Sequence, residues 1–156
     1  MKKNKDTIFA LATPTGKSAI AVIRISGVKA LDITKKISSS MPTKNNYSKL
    51  NILYNKKREP IDKTITTVYR APNSYTGEDI VEISTHGGHS IINEIVKTLN
   101  SYKGVRIAEP GEFTRRAFEN NKLDLTQVEA ISDIINAETE AQRKQALKQL
   151  EGTFAK

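Results

Sequence analysis

The chain has 156 residues, a net charge of +8 at pH 7 and no cysteine. This length suits one domain with a hydrophobic core, or one domain with a helical addition. The absence of cysteine excludes disulfides and thiolate chemistry, and no apolar run is long enough to span a membrane. Since the sequence shows no signal peptide, we expect a cytoplasmic protein.

The positive charge favours a polyanionic partner, RNA first among them. The lysines are nevertheless spread over the whole sequence, and only 6% of the residues are aromatic. No segment alternates basic and aromatic side chains in the manner of a stacking surface for nucleic acid. Charge alone therefore leaves both RNA binding and an ordinary lysine-rich surface open.

Hydrophobic periodicity predicts a strand-rich first part of the chain. Apolar and β-branched residues indicate strands at 7–13, 19–26, 47–54, 61–70, 79–85 and 105–108. Apolar residues at helical spacing predict helices at 28–37 and 90–99.

The character of the sequence changes after residue 109. A short helix is predicted from Pro110 to Asn120, and Asp124 has the position of a helix N-cap with Gln127 as its capping-box partner. Segment 138–150 could continue helically, but its apolar positions are sparse, so it needs a partner. Because no completed unit follows, we expect the sequence to be part of a longer protein. The apolar stripe of the helix after Asp124 consists of Leu125, Val128, Ile131, Ile134 and Ile135.

The most distinctive segment is 71–89, which predicts a turn cluster, a strand, a glycine turn at Gly87-Gly88 and a helix. Strand alternation places Glu82 on the same face as Ile80 and Ser84. A glutamate in mid-strand is either a solvated outward position or a carboxylate held to accept hydrogen bonds from a ligand.

Two cations are of similar interest. Arg24 lies in an otherwise apolar strand, so it sits either at an exposed strand end or against a carboxylate or ligand anion. Lys122 lies in the short link between two predicted helices, where a solvated lysine is the ordinary interpretation.

Two further motifs predict no site. Residues 15–18 (Thr-Gly-Lys-Ser) resemble the end of a phosphate-binding loop, but position 11 is Leu and a strand, not a helix, should follow. His86 and His89 lack the cysteines or carboxylates of a metal site, although a glycine pair before a helix could hold an anion. We predict neither a metal site nor a catalytic residue.

Seven stretches of this sequence, taken together and in order, resemble the N-terminal region of the tRNA-modification GTPase family MnmE, also called TrmE. They cover nearly the whole chain, so the resemblance is far more specific than any single motif above. The stretches are 6–8, 12–14, 22–27, 72–79, 86–88, 108–118 and 121–131.

The resemblance implies an α+β fold with a mixed or antiparallel sheet over residues 1–120, similar to the tetrahydrofolate-binding domain of aminomethyltransferases. Residues 121–156 would begin a helical domain into which the family inserts a GTPase domain, absent from this chain. Family members form homodimers and bind 5-formyl- or 5,10-methylene-tetrahydrofolate. The full-length proteins also use GTP, Mg and K.

The family acts with the FAD-containing partner MnmG. Together they add an aminomethyl or carboxymethylaminomethyl group to the wobble uridine of tRNA, with folate as the source of the one-carbon unit. This chain alone is expected not to hydrolyse GTP.

By the same resemblance, the family's folate contacts correspond to Arg24, Glu82 and Lys122. A pterin ring offers adjacent N–H and NH₂ donors that the Glu82 carboxylate can accept, and the two cations suit the carboxylates of the folate tail. Two other functions stay open: an RNA-binding module without folate, and an autonomous folate-dependent one-carbon transferase.

Overall fold

A computed structural model describes residues 6–14, 16 and 18–154 of the chain, with side chains up to residue 151. In this part of the chain one sheet of six strands is accompanied by five helices, so the predicted α+β fold is confirmed. The strands are β1 (Thr7–Leu11), β2 (Ser18–Ser26), β3 (Ser48–Tyr54), β4 (Pro60–Tyr69), β5 (Ile80–Gly87) and β6 (Val105–Ile107). The helices are α1 (Ala30–Ile37), α2 (His89–Asn100), α3 (Glu112–Glu119), α4 (Leu125–Asn136) and α5 (Glu140–Phe154).

The strand order across the sheet is β3-β4-β5-β2-β1-β6. Neighbouring strands are antiparallel except β1 and β6, which run parallel, so the sheet is mixed. Although β1 comes first in the chain, it lies inside the sheet with a partner on each side. Strands β3 and β6 form the two edges.

Helices α1 and α2 cover one face of the sheet and bury the hydrophobic core. Strand alternation directs every second side chain of the central strands towards these helices, which contribute apolar residues at three- and four-residue spacing. The core consists of Phe9, Ile23, Ile25, Ala30, Ile33, Ile37, Leu53, Val68, Val81, Ile83, Ile95, Leu99 and Val105.

The second face of the sheet is covered only at one end. There α3 and the loop of residues 70–79 lie over Ile8, Ser26 and Ile80, which are buried. Beyond that end the strands expose a row of apolar side chains, here called the open face. Its exposed members are Ile20, Leu50, Ile52 and Ile65.

The alternating apolar residues that predict β3, Leu50 and Ile52, therefore lie on its exposed side. Leu50 is 55% exposed, whereas the neighbouring Asn51 and Leu53 point into the interior and are buried. Asn51 is accommodated there because its amide donates to Ser40 O and Thr66 Oγ1, at 2.8 Å each.

The glycine pair joins β5 to α2 as expected, but Gly87 is needed there for space. A Cβ on Gly87 would lie 2.2 Å from the carbonyl oxygen of Ser18 on β2, closer than any real contact. Gly88 follows as the N-cap of α2. The two glycines thus allow a close approach of β5 and β2 immediately before the helix starts.

The capping box at Asp124 is confirmed. The Gln127 N–H donates to Asp124 Oδ1 at 2.8 Å, and the Asp124 N–H donates to Gln127 Oε1 at 2.9 Å. Residues 140–150 of the predicted segment 138–150 are helical, but they belong to the separate helix α5, because α4 ends at Asn136. Instead α5 packs against α4, with Ala130 and Ala146 buried.

The apolar stripe predicted for α4 is only partly buried. Leu125 is 62% and Ile135 is 76% exposed, since α5 covers a different side of α4. No helix in the described part of the chain combines the length and the apolar character needed to cross a bilayer.

The phosphate-loop motif lies partly outside the described residues, because Thr15 and Lys17 are not among them. Strand β2 begins at Ser18. The element that follows the motif is therefore the predicted strand and not the helix that a phosphate-binding loop requires.

Candidate functional site

Arg24 of β2 and Glu82 of β5 are cross-strand partners in the antiparallel register. Nε and Nη2 of Arg24 each lie 2.9 Å from Oε2 of Glu82. The two side chains keep 29% and 26% of their surface exposed. Of the alternatives that the sequence leaves open, Arg24 thus takes the contact with a carboxylate, and Glu82 is neither fully solvated nor enclosed.

The ion pair leaves one acceptor of Glu82 open. Both close contacts from Arg24 reach Oε2, and no described residue donates a hydrogen bond to Oε1. An ionised carboxylate offers about four acceptor positions on its two oxygens. Glu82 can therefore accept hydrogen bonds from a ligand without first losing Arg24.

Two aromatic rings flank the guanidinium group of Arg24. The ring centroids of Tyr75 and Phe113 lie 5.7 and 5.5 Å from its Cζ, within cation–π distance. Tyr75 belongs to the 70–79 loop and Phe113 to α3, and the hydroxyls of Tyr75 and Thr114, 3.0 Å apart, join the two elements. The charged pair thus has flat apolar groups beside it.

Lys122 lies beside the same loop but not on the ion pair. Its N–H donates to Ala117 O at 2.8 Å, and its Cγ would lie 3.5 Å from a Cβ on Gly77. Among the described residues it forms no ion pair. The structure therefore brings Arg24 and Glu82 together and places Lys122 against the loop that carries Tyr75.

A buried ionic network fixes this loop. The Arg116 side chain is 2% exposed, and its Nη1 lies 3.1 Å from both carboxylate oxygens of Glu78. Its Nη2 lies 3.2 Å from Glu112 Oε2, and Glu78 also accepts a 2.8 Å hydrogen bond from Ser26 Oγ. These contacts hold α3, the loop and the end of β2 in one arrangement next to Arg24.

The same network reaches the β6 edge of the sheet through Arg106. Its two terminal nitrogens lie 2.7 Å from the two oxygens of Glu112, and its Nε donates to Asp6 at 3.0 Å. The hydrogen bond to Glu112 raises the pKa of Arg106 above its usual range, although burial opposes this. Arg106 therefore stays positively charged at neutral pH and in alkaline solution.

Glu112 is fully buried, and burial by itself would raise its pKa. The hydrogen bonds from Arg106 and from the Glu109 N–H outweigh that effect. Together with the positive charges of Arg106 and Arg116, they lower the pKa of Glu112 to about 2. Glu112 is thus ionised at neutral pH.

The three predicted site residues line none of the five surface grooves found on the described part of the chain. Five surface grooves of about 210 to 640 Å³ are lined by other residues. A ligand at Glu82 would rest at the border of the open face. One apolar groove, of about 390 Å³, lies between α3 and α4 and is lined mainly by Phe118, Leu125, Val128, Ile131 and Ile135.

His86 forms a pair of a different kind. Its Nδ1 lies 2.9 Å from Oδ1 of Asp62, whose side chain is 10% exposed, and its backbone N–H donates to Oδ2 at 2.8 Å. Asp62 thus fixes the end of β5. Within the described residues, no cluster of three or more His, Cys, Asp or Glu side chains is placed to hold a metal.

The sequence matches a family model over residues 7–122, and the model is described as the N-terminus of the GTP-binding protein TrmE. This match contains both strands of the ion pair, the 70–79 loop, α3 and Lys122. The chain belongs to this family.

Curated relatives support the assignment to the TrmE N-terminal family. Three similar proteins are named tRNA modification GTPase MnmE. The one from Dinoroseobacter shibae is 48% identical over 147 residues, which are 94% of this chain and 34% of the relative. Those from Aquifex aeolicus and Francisella philomiragia are 46% and 51% identical over 97% of this chain, and 34% and 33% of the relatives. This chain therefore spans about a third of the length of the curated relatives it matches.

The structure adds Tyr75 and Phe113 to the residues predicted from the sequence. Each lies within a stretch of the TrmE resemblance, 72–79 and 108–118, but neither has a pattern that marks it as part of a site. What identifies them is their common distance to Arg24, which depends on how α3 and the loop fold over the sheet.

Proposed function

We propose that this chain is the folate-binding, dimerising N-terminal module of a tRNA-modification GTPase. In this proposal it binds 5-formyl- or 5,10-methylene-tetrahydrofolate. It thereby supports the addition of an aminomethyl or carboxymethylaminomethyl group to the wobble uridine of tRNA. Folate, when bound, supplies the one-carbon unit.

The observation that carries the proposal is the half-buried carboxylate of Glu82. Its Oε2 is held by Arg24, and its Oε1 accepts no hydrogen bond from a described residue. The edge of a pterin presents adjacent N–H and NH₂ donors, which suit a carboxylate with free acceptor positions. The acceptor oxygens of Glu82 therefore fit the donor edge of a pterin ring.

The neighbouring groups fit the rest of a folate molecule. Tyr75 of the 70–79 loop is 39% exposed and offers a ring face, and Phe113 lies on the neighbouring helix α3. Aromatic rings pair favourably in offset or edge-to-face arrangements. In this proposal Tyr75 and Phe113 contact the flat parts of the ligand, Arg24 holds Glu82 in place for the pterin, and Lys122 attracts the carboxylates of the tail.

Replacing Glu82 by Gln tests the site. The substitution keeps the size of the side chain but removes the charge and turns one acceptor into a donor that faces the donors of the pterin. Loss of a charge-assisted hydrogen bond that leaves its partner unpaired costs roughly 2–4 kcal/mol, or about thirty- to several-hundred-fold in affinity. Calorimetric titration of 5-formyl-tetrahydrofolate into wild type and variant measures the loss.

A matched control is Glu129→Gln, which changes an exposed glutamate on α4. Its folate affinity should equal that of the wild type, and circular dichroism melts of both variants check the fold. Equal affinities for the Glu82→Gln variant and the wild type would refute the site. One-carbon transfer by this chain alone would instead favour an autonomous transferase.

The open face supports the dimerisation part of the proposal. It exposes Leu50 and Ile52 of β3, Ile65 of β4 and Ile20 of β2, beginning with the row of residues that is next on this face to the Arg24–Glu82 row. A second copy placed on this face would shield these side chains and cover the ion pair, which lines none of the five grooves found on the described residues. A ligand resting at Glu82 would then be enclosed between two copies.

The remaining parts of the proposal concern a longer protein. Residues 1–120 form the folate-binding and dimerisation domain, and residues 121–156 begin a helical domain that continues in the family's further sequence. The assembly works in the cytoplasm with the FAD-containing partner MnmG and with tRNA, and its GTPase domain uses GTP, Mg and K. The likeness of residues 1–120 to the folate-binding domain of aminomethyltransferases belongs to the same proposal.

A further inference from the structure

Three segments that are far apart in sequence meet at one end of the helix-covered side of the molecule. They are the C-terminal half of α1, the turn between β3 and β4, and the C-terminal half of α2 with the residues that follow it. Arg58 Nη1 donates to Lys36 O at 2.9 Å, and Lys56 Nζ lies 3.4 Å from Ser101 O. These contacts link the first segment to the second and the second to the third.

Eight exposed cations lie on these segments and on the start of α1, and we call them the basic surface. They include Lys29, immediately before α1. Its Nζ donates to the backbone oxygen of Lys103, which follows α2, at 2.8 Å. The eight cations are Lys29, Lys35, Lys36, Lys56, Lys57, Arg58, Lys97 and Lys103.

Three carboxylates lie on the same elements, and they are Asp32, Glu59 and Glu94. Glu59 and Glu94 both accept a hydrogen bond from the Asn55 amide, at 3.1 and 3.2 Å, and so are turned towards the β3–β4 turn. None of the three forms an ion pair with a described residue. The basic surface therefore retains a large excess of positive charge, and a large share of the net charge of +8 resides on it.

Two tyrosine rings lie among the cations. Tyr102 has the ammonium groups of Lys56 and Lys36 at 4.4 and 6.0 Å from its centroid, and Tyr54 has the guanidinium of Arg58 at 4.4 Å. Such contacts restrict long side chains that would otherwise sample many rotamers. Basic and aromatic side chains are thus interleaved in space, although no stretch of sequence interleaves them.

We propose that the basic surface binds the phosphate backbone of a folded RNA. Four of its cations are held by hydrogen bonds or ring contacts and so lose less side-chain entropy on binding than free lysines do. They are Lys29, Lys36, Lys56 and Arg58. The tyrosines fit RNA better than a lipid surface, because they are half-buried under cations and offer no apolar wedge. Binding to a membrane interface requires buried apolar area in addition to charge.

The inference is independent of folate binding, because the basic surface and the Arg24–Glu82 pair share no residue. Within the proposed function it assigns the RNA contact to one defined part of this domain. Failure of the folate site would leave the test below unchanged.

The test compares two triple variants of the 156-residue chain, each with three positive charges removed. The first is Lys36→Gln, Lys56→Gln, Arg58→Gln on the basic surface. The control is Arg143→Gln, Lys144→Gln, Lys148→Gln on the exposed side of α5. Affinity for an unmodified tRNA transcript is measured by fluorescence anisotropy between 50 and 200 mM salt.

The basic-surface variant should lose about tenfold or more in affinity at the lowest salt. The slope of log K against log salt should become shallower by roughly two to three, since each lost phosphate contact removes about 0.7 to 0.9 from it. The control should stay close to the wild type. An equal loss in both variants would show that only net charge matters and would overturn the proposal.

A second variant guards against damage to the β3–β4 turn. Lys57→Gln with Lys97→Gln removes two exposed cations whose side chains form no hydrogen bond, ion pair or ring contact with a described residue, so the fold should not change. It should lose affinity in the same direction. Unchanged tRNA affinity with an unchanged melting curve, or binding to anionic vesicles in place of tRNA, would overturn the proposal.

Discussion

Among single residues, Glu112 is the one whose negative charge matters most for the fold. It is fully buried between Arg106 and Arg116, and its pKa of about 2 lies below the ordinary value of 4.5. A lowered pKa means that the folded state favours the ionised form, so this stabilisation is complete above pH 4.5. It is lost as the pH falls from 4.5 towards 2, and amounts to roughly 3 kcal/mol by proton linkage.

We therefore expect Glu112→Gln to lower the free energy of unfolding at pH 7 by about 3–5 kcal/mol, because two arginines lose their shared counter-charge inside the protein. The variant should also lose less stability than the wild type between pH 5 and pH 3. Urea unfolding at pH 7, 5 and 3 measures both effects, with Glu129→Gln as the exposed control. An unfolding free energy that hardly changes in the Glu112 variant would contradict the buried network.

At the scale of elements, the capping box of α4 is the clearest local determinant. Asp124 and Gln127 satisfy two backbone N–H groups at the start of a helix of 12 residues. We expect Asp124→Ala to cost about 1 kcal/mol in the free energy of unfolding.

The matched control for the capping box is Asp133→Ala, which removes a carboxylate from the exposed middle of the same helix. Alanine has the higher helix propensity, so this change should be neutral or slightly stabilising. Urea denaturation at pH 7 separates the two variants. Equal effects at both positions would show that the cap contributes nothing beyond its charge.

Elements of this kind could be predicted from the sequence because their signals are local. The cap at Asp124, the alternation of β5 and the helical spacing of α2 all lie within about a dozen residues. The break between α4 and α5 was not predicted, because Glu138 and its neighbours are compatible with a helix.

The contacts between elements could not be predicted in the same way. Arg24 and Glu82 are 58 residues apart, and only the register of β2 against β5 places them opposite each other. The TrmE resemblance identified both residues, but not their mutual ion pair or the rings of Tyr75 and Phe113. The basic surface was missed for a similar reason, since it is assembled from three segments.

At the scale of the whole molecule, the open face predicts self-association. We expect sedimentation equilibrium at micromolar concentration to report twice the chain mass of 17.3 kDa. Leu50→Asp should shift the equilibrium to the monomer, because it places a charge beside Ile52 and Ile65 on the open face, where a second copy would have to desolvate it.

The control for this test is Ile135→Asp, on an exposed residue of the α3–α4 groove. This variant should remain a dimer. A wild type that stays monomeric at high concentration would rule out self-association by this chain. Dissociation by the Ile135 change and not by the Leu50 change would move the interface to the α3–α4 groove.

The position of β1 has a consequence for the order in which this sheet can be completed. Of the six described strands, the first in sequence lies between β2 and β6, and its parallel partner β6 is the last in sequence. The ion pair from Arg106 to Asp6 spans 100 residues at the same place. A nascent chain can form the antiparallel part as it emerges, but one side of β1 must wait for residue 107. Until then β1 is an unprotected edge, on which a chaperone or a neighbouring nascent chain can act.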